Sequence, residues 1–207
     1  LPDGSSATVY VDCDPTRTCA NDPNSGSGSG GTNIVRTDLG GTMGVDSVSL
    51  AALPVEAGQL LVATVAYRAA SIATLDATYS GFGGLTLAVA EHYYDSAADL
   101  GAAVLYGEVA TTETDELVVN ASGADVIAVS AFVLEGLAGN VVDLSQGGPA
   151  DTTTAPSTCL PGATVPAQEY ICAVLASNGG SEDTHGSWTS GFTDGGQDVG
   201  GSTGDPN

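Results

Sequence analysis

The chain has 207 residues, with 25 Asp and Glu against three Arg and no Lys, a net charge of −22, and 42% hydrophobic residues. Disorder requires low hydrophobicity as well as high charge, so this chain is expected to fold. Nucleic acid and anionic lipid are bound by Lys and Arg that neutralise phosphates, so both partner classes are excluded, and counter-ions must come from solvent as Na⁺ or Ca²⁺.

The 29 glycines, with abundant Ser, Thr, Val and Ala, are poor helix composition and good strand-and-turn composition, which predicts an all-β protein. No run of 18 apolar residues occurs, so no membrane insertion is expected. A first residue Leu1 rather than Met fits a mature chain whose signal peptide has been removed, although an artificial boundary would look the same.

In chain order, residues 7–11 (Ala-Thr-Val-Tyr-Val) read as a short strand on an N-terminal arm spanning residues 1–24. Residues 25–32, rich in Ser and Gly, are a flexible linker by composition, and residues 33–207 form the main domain. Within it, strands are predicted over 33–36, 47–50, 59–67, 76–79, 85–93, 102–110, 116–121, 126–135 and 170–176, with turn residues between them. The runs 59–67 and 126–135 are apolar almost throughout, as expected of central strands buried on both faces, and 170–176 is taken as a third. A helix over 60–70 competes with the first of these, but its Val and Thr content and the Glu56-Ala57-Gly58 turn before it favour a strand.

Cys13, Cys19, Cys159 and Cys172 form two local pairs without any CxxC spacing, which points to disulfides and therefore to a secreted, extracellular protein. Three connectivities are open. Cys13 with Cys19 and Cys159 with Cys172 is favoured because each closes a short loop, worth on the order of 3 kcal/mol for the longer one.

The successive segments VSLAALPVEAGQLLVATVAYR (48–68), YSGFGGLTLA (79–88), AAVLYGEVA (102–110) and VSAFVLEGL (129–137) resemble the β-sandwich modules of large secreted and cell-surface bacterial proteins. Those modules carry an "aGdLLva" strand, a "GgltLt" hairpin, a "vslwYl" strand and a "vvafsGv" strand in that order. The similarity covers about residues 45–200 and is a pattern of core strands, not of active residues. It implies an antiparallel, jelly-roll-like β-sandwich used for structure, adhesion or carbohydrate contact. Such modules usually close with a further strand after a stretch like Gly186-Ser187-Trp188-Thr189, whereas this chain continues through Gly195, Gly196, Gly200 and Gly201 to Asn207. A sandwich lacking a strand exposes an edge, and Thr8, Val9, Tyr10 and Val11 on the arm are available to pair with it, within the chain or in a neighbouring molecule.

Candidate chemistry is sparse. Asp12, Asp14, Asn21, Asp22 and Asn24 supply oxygen ligands in a turn-rich loop, as Ca²⁺ requires, without the spacing of an EF-hand. The pair of histidines, His92 and His185, lies in no metal or nucleophile motif, no G-x-S-x-G elbow occurs, and no enzyme is expected. His92 reads as a strand-surface residue, while Tyr106 and Phe132 read as core. Tyr93, Tyr94 and Trp188 are candidates for stacking on sugars. Asn120 fits an N-glycosylation sequon, and Thr152, Thr153 and Thr154 lie in a stretch suited to O-linked glycans. The reading that follows is an extracellular, disulfide-stapled structural subunit that polymerises by strand exchange of its arm. A carbohydrate-binding or adhesive module comes second, and a phage or viral capsid or tail component third. If the acidic loop holds Ca²⁺, EDTA lowers the melting temperature; an unchanged melt removes calcium from the account.

Overall fold

A computed structural model describes residues 6–12, 35–81, 84–135, 144–150 and 171–177. Among them are twelve strands and no helix: β1 (Ser6–Asp12), β2 (Val35–Gly44), β3 (Ser47–Val55), β4 (Leu60–Arg68), β5 (Thr74–Tyr79), β6 (Leu85–Thr86), β7 (Ala88–Asp95), β8 (Leu100–Glu108), β9 (Glu113–Ser122), β10 (Val126–Glu135), β11 (Leu144–Ala150) and β12 (Ile171–Ser177). All described pairings are antiparallel. A five-stranded sheet in the order β2-β10-β4-β8-β7 faces a four-stranded sheet in the order β3-β9-β5-β6, and a third sheet has the order β11-β1-β12.

The apolar patterning explains the layering. In β4, Leu61, Ala63, Val65 and Tyr67 pack into the core shared with the four-stranded sheet, while Leu60 and Val62 lie in a second cluster on the opposite face. β8 and β10 divide in the same way, with Leu105 and Val129 on the first face and Val104 and Phe132 on the second. A strand flanked by neighbours in its sheet and covered on both faces needs apolar residues at every position, which is why these runs lack alternation. Among the described residues the four-stranded sheet is covered on one face only, so β3 alternates buried Val48 and Leu50 with exposed Ser47 and Ser49.

That alternation changes phase after Leu50, since Leu53 and Val55 are the next buried positions. Two residues further along β9, from Leu117 to Asp115, correspond to three along β3, from Leu50 to Leu53, so one extra residue is inserted as a bulge. Ala52 takes it up with a φ of 57°, in the left-handed region. Nearby, the Tyr79 hydroxyl donates to the carbonyl of Leu53 at 2.8 Å and accepts from the amide of Asp115 at 2.7 Å, tying the bulge to β5 and β9. Gln59 is a buried polar side chain whose bonds are supplied: its Nε2 donates to Glu135 and its Oε1 accepts from the amide of Glu56.

The strand expectations hold at β3, β4, β8, β9 and β10, and the helix over 60–70 is absent. Four details differ. The run 85–93 is two strands: β6 pairs with β5, Leu87 donates its amide to the carbonyl of Ala77 at 2.9 Å, and β7 then pairs with β8 in the other sheet. The first strand of the main domain extends to Gly44, because Gly40, with φ 106°, sits at a register shift between Ala131 and Phe132 instead of ending the strand in a turn. β11 was not expected, since Gly147, Gly148 and Pro149 read as punctuation; it lies at a sheet edge, where a missing N–H is tolerated. β12 matches the expected run 170–176 but is the other edge of that sheet, not a central strand. The expected loss of a closing strand after Trp188 concerns residues outside those described.

A Cβ added at Gly101 would overlap the ring of Tyr67, which is buried and held by hydrogen bonds. Gly101→Ala is expected to cost about 1–3 kcal/mol as an overpacking change, measured by urea denaturation, and an unperturbed midpoint would show that Tyr67 moves aside freely.

Candidate functional site

The position of the N-terminal strand is the feature that the folded core does not require for its own connectivity. β1 pairs over Ser6–Asp12 with Ala150–Leu144 of β11 on one side and with Ser177–Ile171 of β12 on the other. It is therefore the middle strand of a sheet whose two edges come from the last third of the chain. This sheet stacks on the outer face of the five-stranded sheet, with β12 against β8 and β4, β1 against β7 and β8, and β11 against β7. Val174 and Ala176 of β12 are buried there with Leu60, Val62, Leu100, Val104, Phe132 and Leu134. Val9 is in register with Val174 and Ala7 with Ala176, so these β1 positions share the parity of the buried β12 positions.

Without β1, β11 and β12 would face each other across one strand's width, roughly 9.5 Å between strand axes, with two rows of unpaired backbone groups lining the slot. A seven-residue extended segment satisfies both rows.

A second cluster lies between β4 and β7. The Tyr67 hydroxyl is 2.6 Å from His92 Nε2, accepts from the amide of Ala73 at 3.3 Å, and its ring stacks on Tyr94 at 6.3 Å between centroids. Tyr94 donates to the carbonyl of Ala69 at 2.7 Å. Burial pushes the Tyr67 and Tyr94 phenols up and the His92 imidazole down, the last partly opposed by Glu91. With Ala73 donating to its oxygen, Tyr67 can give its own proton to a neutral His92 ring; a protonated ring would offer a second donor instead. Burial and hydrogen bonding therefore favour neutral His92. Far from being a plain surface residue, it is half-buried, and what the sequence hid was Tyr67, 25 residues away, reaching it across the sheet.

The other expected site residues are dispersed. Tyr93 and Tyr94 point to opposite faces of β7: Tyr94 packs against the inner core and Tyr93 against the outer cluster with Tyr106. Both are half-buried, and Trp188 lies outside the described residues. Asn120 is on β9, and its Oδ1 accepts from Ser47 Oγ at 2.7 Å. Cys172 lies on β12 in register with Val11, while Cys13, Cys19 and Cys159 are outside the described residues. Asp12 ends β1; Asp14, Asn21, Asp22, Asn24, Thr152, Thr153 and Thr154 are outside the described residues. Among the described residues, no group of three or more His, Cys, Asp or Glu is placed to hold a metal ion.

Comparison of the chain with protein-family models, with curated proteins and with solved structures gave no match in any of the three.

Because the folded state favours neutral His92, its contribution to stability is complete above the unfolded value near pH 6.5 and is lost as pH falls from there through the lower folded value. His92→Gln is expected to flatten the fall in melting temperature between pH 7.5 and 5.5 relative to the parent chain. An identical pH profile in both proteins would assign that dependence to other groups.

Proposed function

We propose that this chain is an extracellular structural subunit, the repeating unit of a filament in which the β1 strand of one molecule fills the slot between β11 and β12 of the next. The observation that carries this reading is the place of β1 as the middle strand of a sheet whose two other strands, Leu144–Ala150 and Ile171–Ser177, come from far along the chain. Its connection to β2 runs through residues 13–34, which include the Ser/Gly-rich stretch 25–32 and span at most about 75 Å when extended. The same two ladders form whether β1 comes from its own chain or from a second copy. Supply from a second copy is a head-to-tail contact, which does not close on itself and so propagates.

The strand order supports a jelly-roll reading of the sandwich. β2-β10-β4-β8, with β7 beyond β8 at the edge, faces β3-β9-β5-β6, so consecutive strands change sheet except at the β5–β6 and β7–β8 pairs, as in the two Greek keys of a jelly roll. This architecture agrees with the resemblance to surface modules and suits a scaffold. Secretion and disulfide stapling belong to the same proposal, carried by the even cysteine count. The adhesive, sugar-binding alternative ranks second, because Tyr93 and Tyr94 pack into separate clusters instead of forming one exposed platform.

Val9→Asp with Val11→Asp places two carboxylates at register positions matched to Val174 and Cys172. At a subunit concentration that gives filaments by negative-stain electron microscopy, the double variant is expected to give none while the sandwich retains its β circular-dichroism signal. Filaments of unchanged abundance would exclude strand exchange by β1.

A further inference from the structure

We infer that β1 in its own slot is a self-capped state of the subunit, and that a second copy's β1 enters only after the resident strand has been released. This rests on the filament reading proposed above and concerns what regulates it.

Three observations lead there. First, the slot in a single chain is already filled, with seven register pairs on each side. Exchange replaces these pairs by identical ones, so the slot by itself gives no net gain to a partner. Second, β1 is tethered to its own sandwich by residues 13–34, and a short tether holds an attached strand at an effective concentration in the millimolar range. For free subunits at about 1 μM, occupancy by the tethered strand is then favoured about a thousandfold over occupancy by another copy. Third, β1 is a middle strand. Leaving breaks both ladders and uncovers the part of the outer apolar layer that lies on β7 and β8, which includes Val104, so release is a local unfolding event and not the fraying of an edge.

The two ladders are unequal. The β11 side presents Gly147 and Gly148 opposite Val9 and Thr8, and Pro149, which has no N–H, opposite Ala7. The β12 side presents Val174, Leu175 and Ala176 opposite the same three positions. Strand propensity is low on the first side and high on the second, so release begins by separation from β11.

The test uses the intact chain and a fluorescent synthetic peptide with the sequence of residues 6–12, with urea held below the global unfolding midpoint as the releasing pulse. With peptide at about 10 mM, above the effective concentration of the tethered strand, self-capping predicts no uptake by the native monomer and uptake after the pulse that is retained on gel filtration once urea is removed. It also predicts that a pulse at about 1 mM chain gives polymer, whereas a pulse at about 1 μM returns monomer. Immediate uptake without a pulse, or no uptake after it, overturns the inference. Filaments growing at about 1 μM without a pulse would overturn self-capping and leave the filament reading standing. Peptide uptake after the pulse with no polymer at any chain concentration would do the reverse.

Discussion

The five-stranded sheet is apolar on both faces, and the rest of the structure follows from having to cover both. Its inner face meets the four-stranded sheet. Its outer face carries Leu60, Val62, Leu100, Val104, Phe132 and Leu134, all buried. Burying side chains of this size contributes about 1.5–3 kcal/mol each, so exposing the whole set would cost on the order of 10 kcal/mol, comparable to the entire stability of a typical domain. A two-layer sandwich of this composition would not leave that face in water. The third sheet is a requirement of the sequence of β4, β8 and β10, and β1 is its middle strand.

This makes the N-terminal strand part of the cover that the outer face needs. The connections between β2 and β10 are short, but the sandwich is itself built from distant pairs, Val35 with Glu135 between β2 and β10 and Ser47 with Asn120 between β3 and β9. The third sheet draws Ser6–Asp12 together with strands more than 130 residues later, the pairing with the largest loop-closure cost.

Much of the fold was legible because two-sided burial writes itself as unbroken apolar runs: 59–67 and 126–135 announce β4 and β10 without reference to anything distant. Elements set by backbone conformation were harder to read. Gly40 and Gly41 look like a turn and continue a strand through a bulge; Leu85–Tyr93 looks like one strand and changes sheets at Leu87. β11 is a strand by virtue of its neighbour, since Gly147, Gly148 and Pro149 have little tendency of their own to extend. At the site, the need of Thr8–Val11 for a pairing partner was readable from its isolation. The identity of both partners, and the contact of His92 with Tyr67, depend on register between distant segments and leave no local mark.

The scarcity of cations has a structural counterpart. Arg36 lies with its Cζ 4.2 Å from the centroid of Phe132, with its Nη2 2.5 Å from Asp38, so it covers the edge of the outer apolar cluster as well as neutralising a carboxylate. Arg68 approaches Asp125 at 3.8 Å at the exposed end of β4, a pair worth little by itself. With carboxylates in such excess, the protein is held together by its apolar layers and not by ion pairs. The most direct test of this account is amide hydrogen exchange of the native monomer over residues 6–12. A middle strand has all its amides bonded, alternately to each neighbour, so the account predicts protection throughout Ser6–Asp12 comparable to that of the central strand β4. Exchange of those amides at the rate of an unstructured chain would contradict it.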